Sequence, residues 1–191
     1  AVPEAMVVSP VAFVQSDVEG QRGLSLGFSK PLFRRQFLVE NHIAYKPEIK
    51  VSQDFWLDMD CLARGAKFVF LPEPYYYYRS REGALTTSTN RVERLSQECD
   101  AIARFFDDEA AYLDQNPDLV SALQFKLQQT RRIRDYCAVM DTLKRRDFLK
   151  AFYKSLEHPR FFHQMFSEAP RVVRRRFSRF FLGQDIYEKF I

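Results

Sequence analysis

The chain has 191 residues, of which 46% are hydrophobic and 28% charged, and a formal net charge of +4. That balance excludes a disordered or fibrous protein and allows one domain, or one and a half, around a packed core. Cys61, Cys99 and Cys137 stand far apart with no CxxC pair, which argues against a disulfide framework or a zinc site. No apolar run approaches the roughly 20 residues needed to span a bilayer.

Residues 1 to 29 read as an irregular entry with one strand, Val11 to Val14, and a glycine-containing loop from Gly20 to Gly27. Ser29 is placed to cap a helix with Pro31 in its first turn, carrying Leu32, Phe33, Phe37 and Leu38 and ending at Asn41. Ile43 to Val51, interrupted by Pro47, is extended at best. Ser52 then opens a helix on which Phe55, Met59, Leu62 and Ala66 form one apolar face, with Gly65 as terminator. Lys67 to Leu71 and Tyr75 to Tyr78 read as two short strands around a Pro-Glu-Pro turn.

From Arg91 the pattern is helical throughout. Val92, Leu95, Cys99, Ile102, Phe106, Ala110 and Leu113 keep to one stripe, capped by Thr89 or Asn90. Asn116-Pro117 begins a second long helix through Leu143, and shorter helices are expected at roughly 147 to 157, 160 to 167 and 171 to 182, separated by Pro159 and Pro170. The change of pattern near Thr89 divides the chain into residues 1–89, of mixed strand and helix, and residues 90–191, a helical extension. The expected class is α+β with few short strands. Most of the 19 Phe and 9 Tyr side chains are expected to fill the core.

One stretch carries chemistry. Lys30, Phe33, Arg34, Phe37, Leu38 and Asn41 precede Ser52-Gln53-Asp54-Phe55, and Pro74, Tyr78 and Arg79 follow at about 20 residues. In this order and spacing the chain resembles the acceptor-side half of a family 2 glycosyltransferase of GT-A type, and most of all the bacterial enzymes that build succinoglycan-like exopolysaccharides. The resemblance implies that Asp54 is the catalytic base, with Gln53 where the family usually has a first acidic residue. It further implies that Lys30, Arg34, Tyr78, Arg79 and Arg81 bind substrate, the arginine forks matching phosphate geometry.

Nothing before Lys30 resembles the nucleotide-binding half, so the chain is expected to be the C-terminal portion of a longer enzyme and inactive alone. The longer enzyme is expected to transfer a hexose, glucose by the resemblance, from a nucleotide diphosphate sugar to a lipid-linked oligosaccharide with inversion. A divalent metal, Mg or Mn, is expected in that enzyme, with no metal ligands in this portion. Asp58-Met59-Asp60 spells a DxD string, but on a helix its two carboxylates diverge by about 200°. Asp58 is therefore expected in solvent, one turn after Asp54.

Near the end, Arg171, Arg174, Arg175, Arg176 and Arg179 lie within nine residues, interleaved with Val173, Phe177, Phe180 and Phe181. A basic amphipathic helix of this kind is expected either to contact an anionic membrane, with Arg174, Arg175, Arg176, Phe177 and Phe181 as the contact residues, or to pack on the helical bundle by its phenylalanines with its arginines in water. The expected location is cytoplasmic, on the inner face of the membrane. No recognisable RNA-binding motif accompanies the arginines and no nucleic acid is expected as a partner. The competing class is a non-catalytic helical module that binds membrane, RNA or a protein partner.

Overall fold

The computed structural model describes residues 5–21, 23–77, 90–163 and 165–166. The elements in chain order are β1 (Met6–Val8), α1 (Pro10–Ser16), a 3-10 turn (Leu26–Phe28), α2 (Arg35–Glu40), α3 (Gln53–Ala63), β2 (Phe68–Phe70), α4 (Arg91–Asp108), α5 (Ala110–Asp114), α6 (Pro117–Lys144) and α7 (Phe148–Glu157). Helix dominates, and the two strands form one antiparallel pair with Met6 opposite Phe70 and Val8 opposite Phe68, compatible with α+β. Two compact units are distinguished, residues 1–131 and 132–191.

The first unit departs from expectation at its start. Residues Val11 to Val14 are helical, because the Ser9 hydroxyl accepts from the Ala12 N–H and Pro10 occupies the first turn, a start signal that outweighs the β preference of two valines. The expected helix at Ser29 begins only at Arg35. Ser29 instead closes the 3-10 turn, its hydroxyl donating to the Leu26 carbonyl at 2.5 Å. Asn41 ends α2 as expected, with its side chain donating to the Phe37 carbonyl.

Helix α3 follows its reading more closely. Phe55, Met59 and Leu62 are buried, and Gly65, at φ 83°, terminates it. Strand β2 falls within the expected Lys67 to Leu71 but pairs with β1. Tyr75, Tyr76 and Tyr77 are exposed and form no strand, and Tyr78 lies outside the described residues. The single stripe expected from Val92 to Leu113 breaks at Glu109, which joins α4 to α5.

The core of this unit draws on both sides of Thr89. Val8, Phe13, Phe55, Trp56 and Met59 pack with Ile102, Phe105, Leu113, Leu119 and Leu123, so the pattern change near Thr89 is not a boundary in packing. An aromatic run continues through it: Phe13 stacks on Phe55 at 5.1 Å, Phe55 meets Trp56 edge-on at 4.9 Å, and Trp56 lies 5.5 Å from Phe105. Rings at these separations add about 0.5–1.5 kcal/mol per pair beyond area burial.

One charge sits inside this core. Lys126 of α6 is 3% exposed; its ammonium donates to the Asp17 carbonyl at 2.6 Å and carboxylate at 2.9 Å, and lies 4.5 Å from the centre of the Phe55 ring. Glu98 approaches at 3.1 Å, within ion-pair range but off the hydrogen-bond direction. Burial pulls the ammonium toward neutrality, yet the charges of Glu98 and Asp17 more than offset it and hold the pKa above the ordinary value.

In the second unit, Val139, Ala151 and Phe161 form a small core with Tyr136, Met140, Leu143 and Met165 around it. Asp147 caps α7 by accepting from the Lys150 N–H at 3.1 Å. Residues 160–163 are again helical, as expected. The helix expected at 171 to 182, with Arg174, Arg175, Arg176, Phe177 and Phe181, lies outside the described residues.

Removing one member of a buried charge network leaves the others unpaired. Lys126→Met should therefore lower the unfolding free energy by about 3–5 kcal/mol, measured by urea denaturation. Adding Asp17→Asn and Glu98→Gln to that variant should recover part of the loss. No recovery would show that Lys126 acts through packing rather than charge.

Candidate functional site

The start of α3 is fixed from below and from the side. From below, Phe55 stacks on Phe13 and anchors the first turn to the core. From the side, the 3-10 turn approaches so closely that a Cβ at Gly27 would stand 3.1 Å from the Phe55 ring and 3.3 Å from Asp17. Only glycine allows that approach without displacement, and it brings Lys30, three residues on, to the helix start. Ser52 occupies the N-cap position in the left-handed region, φ 55°, without a side-chain cap bond. Gln53 secures the turn instead, its amide donating to the Ile49 carbonyl at 2.6 Å.

Asp54 stands in the first turn with its carboxylate partly open to solvent. Lys30 Nζ donates to Oδ2 at 2.7 Å and the Tyr45 hydroxyl donates to Oδ1 at 3.0 Å. The Lys30 bond chiefly lowers the Asp54 pKa; burial opposes it and the Tyr45 bond reinforces it. The same bond raises the pKa of Lys30. In this arrangement Asp54 is ionised and a weak proton acceptor.

Asp58 is one turn further along α3 and is not in solvent as expected. It is 1% exposed, and neither oxygen has a hydrogen-bond partner. The helix turns it inward beside the buried run Phe55, Trp56, Leu57 and Met59, a placement that the charge of aspartate conceals in the sequence. Burial foremost, and then the negative charge of Asp54, push its pKa up to about 7, with Lys30 opposing. Two carboxylates one turn apart thus differ in protonation near neutrality.

Asp60 leads elsewhere. It pairs with Lys46 at 3.2 Å, and Lys46 also reaches Asp108 at 3.2 Å, so the DxD string is divided between two environments. Among the described residues no group of three or more His, Cys, Asp or Glu side chains could hold a metal ion. Tyr45, Lys46, Gln53, Trp56 and Asp60 line a shallow hollow beside the start of α3.

Of the residues read from sequence, Lys30, Gln53 and Asp54 come together. Arg34 is exposed ahead of α2 and is not a partner of Asp54. Tyr78, Arg79 and Arg81 lie outside the described residues. Tyr45 was not legible as a member of the site, because nothing in its spacing nine residues before Asp54 marks a contact. Asp58 carried one available signal, its position four residues after Asp54.

The chain is similar to succinoglycan biosynthesis proteins. It is 27% identical to succinoglycan biosynthesis protein ExoO of Rhizobium meliloti over 172 residues, covering 88% of this chain and 47% of that protein. It is 25% identical to succinoglycan biosynthesis protein ExoU of the same organism over 162 residues, covering 82% of this chain and 45% of that protein. The chain thus spans about half the length of the curated relatives it matches. No family model and no solved structure matches it.

The two carboxylates leave different marks on stability. The folded-state pKa of Asp58 is raised, so its contribution is fullest below the unfolded value near 4 and is lost as pH rises toward about 7, by at most about 1.4 kcal/mol per pH unit. Asp54, with a lowered pKa, contributes above its unfolded value and loses that contribution as pH falls through the folded one. Asp58→Asn should therefore flatten the decline in stability between pH 4 and 7 and leave the acid limb in place. Superimposable stability–pH curves for variant and wild type would refute this assignment.

Proposed function

We propose that this chain is the acceptor-side portion of an inverting glycosyltransferase of family 2, GT-A type, acting in exopolysaccharide assembly. The observation that carries the reading is Asp54: a partly exposed carboxylate at a rigid helix start, oriented by two side chains from other segments, at the position the resemblance assigns to the catalytic base. The similarity to two succinoglycan biosynthesis proteins supports the same context. The substrates under this reading are a nucleotide diphosphate hexose, with glucose as the sugar, and a lipid-linked oligosaccharide.

The reaction needs a base at the acceptor hydroxyl. Asp54 takes that proton as the hydroxyl oxygen bonds to the anomeric carbon and the bond to the diphosphate breaks on the opposite face. A carboxylate held down in pKa by Lys30 is a poor base. Lys30 resolves this if its ammonium, on a solvated four-carbon stem, leaves Asp54 for the diphosphate oxygens when donor arrives, since losing that bond raises the carboxylate's pKa. Arg34, Arg79 and Arg81 would share the diphosphate charge, and Gln53 and Tyr78 would meet sugar hydroxyls. The divalent metal implied by the resemblance finds no ligand group among the described residues, and no step here depends on it.

No described helix is long and apolar enough to cross a membrane. A lipid-linked acceptor would bring the enzyme to the inner face of the membrane as a peripheral protein, with the arginine-rich segment after Pro170 as one contact.

In the longer enzyme, Asp54→Asn should cut turnover by on the order of 100-fold or more while preserving folding and donor affinity. Lys30→Met should weaken donor binding and shift the acid limb of the kcat/KM profile, set by Asp54, to higher pH. Near-wild-type turnover of Asp54→Asn would return Asp54 to a helix-capping role.

A further inference from the structure

Helix α7 is built with its small residues inside and its large ones outside. Ala151 and Ser155 face the core of the second unit and are buried. Phe148, Leu149, Phe152, Tyr153 and Leu156 are between 59% and 76% exposed. At about 100° per residue these five fall within an arc of about 140°. A helix that served only to close the core would have the reverse arrangement.

Cations lie near this apolar face. Lys150 lies about 60° beyond the arc and Lys144, Arg145 and Arg146 immediately precede the helix, whereas the half-buried Lys154 stands on the far side. From residue 141 to 157 these five cations outnumber three acids, Asp141, Asp147 and Glu157; Asp141 pairs with Lys144 at 3.5 Å and Asp147 is occupied as the α7 cap. The C-terminal turn of α6 and all of α7 therefore present aromatic and aliphatic side chains flanked by exposed positive charge.

We infer that α7 is an interfacial helix that lies on an anionic lipid bilayer, inserting Phe148, Leu149, Phe152 and Leu156 among the acyl chains while Lys150 and the Lys144–Arg146 cluster contact lipid phosphates. Three physical features select this occupant. Phenylalanine and leucine on one face with lysine beside them is the composition of helices that settle at the headgroup boundary. Lysine stems are long enough to keep their ammonium at the phosphates while the helix sinks. A second copy of the chain docked face to face would bring these cations against their own counterparts, and protein interface cores are depleted in lysine. The inference stands on α7 alone and does not require the transfer reaction proposed above.

The experiment is sedimentation of the 191-residue chain with vesicles of phosphatidylcholine, with and without 30–40% phosphatidylglycerol (roughly the fraction at which basic segments bind). The chain should bind anionic vesicles at low salt, at least about tenfold more weakly to neutral ones, and progressively less as salt screens the attraction. Leu149→Ser with Phe152→Ser should weaken binding at least about tenfold, and Arg145→Glu with Lys150→Glu should reduce the anionic preference, both without change in thermal unfolding because the replaced side chains are exposed. Trp56, the one tryptophan, is buried, so Phe152→Trp adds a reporter: brominated lipids should quench it and leave Trp56 bright. Binding carried wholly by Arg174, Arg175 and Arg176, insensitive to the α7 substitutions and without quenching at position 152, would overturn the proposal. So would absence of binding at low salt, or a stable oligomer in lipid-free buffer that Leu149→Ser with Phe152→Ser dissolves, which would make the face a protein interface.

Discussion

The first unit is organised around the buried ammonium of Lys126. It ties α6 to the end of α1 through Asp17, faces α4 through Glu98 and sits against the Phe55 ring of α3. Each contact alone is modest, but a cation 3% exposed cannot be left unpaired, so the four helices must meet in one arrangement for the charge to be balanced. Phe55 is the common surface, with Phe13 stacked on it and the Gly27 turn pressed against it. Asp54 is the next residue before it, and its position is inherited from this packing.

Helix α3 then produces two different acids from the same side chain. Asp54, in the first turn, has solvent, Lys30 and Tyr45; Asp58, one turn later, is buried, and the charge of Asp54 there adds to burial while that of Lys30 opposes it. The pair is asymmetric because one helical turn carries the chain from the rim of the core into it. A buried acid with no hydrogen-bond partner is an expensive feature to maintain. Here it lies one turn behind the carboxylate we propose as the base, and its pKa, pushed up to about 7, lessens the negative charge beside Asp54.

The second unit follows a different rule. Its core is small, resting on Val139, Ala151 and Phe161, and a deeply buried acid, Asp135, is met by Arg134 at 2.9 Å and His158 at 3.5 Å. Large apolar groups that could have enlarged this core are displayed on α7 instead. An exposed apolar face of this kind is a usual mark of an interaction surface.

The sequence by itself determined where helices start and stop when a local signal was strong: Asn90 before α4, Asn116-Pro117 before α6, Gly65 after α3 and Asn41 after α2. It also determined the apolar face of α3 and the first-turn place of Asp54, because both depend only on the 3.6-residue period. It misled at Val11 to Val14, where β-branched residues spoke for a strand and the Ser9 cap with Pro10 prevailed, and at Ser29, which closes a 3-10 turn. Tertiary structure alone decided that β1 pairs with β2, that Tyr45 and Lys30 converge on Asp54, and that Asp58 is buried. Those outcomes depend on contacts between segments 9 to 24 residues apart in Asp54's case and 60 or more apart for the strands, and no periodicity encodes them. The inside-out character of α7 belongs to both levels: the wheel shows two apolar arcs of different size, and only the packing of Ala151 and Ser155 reveals that the small one faces inward.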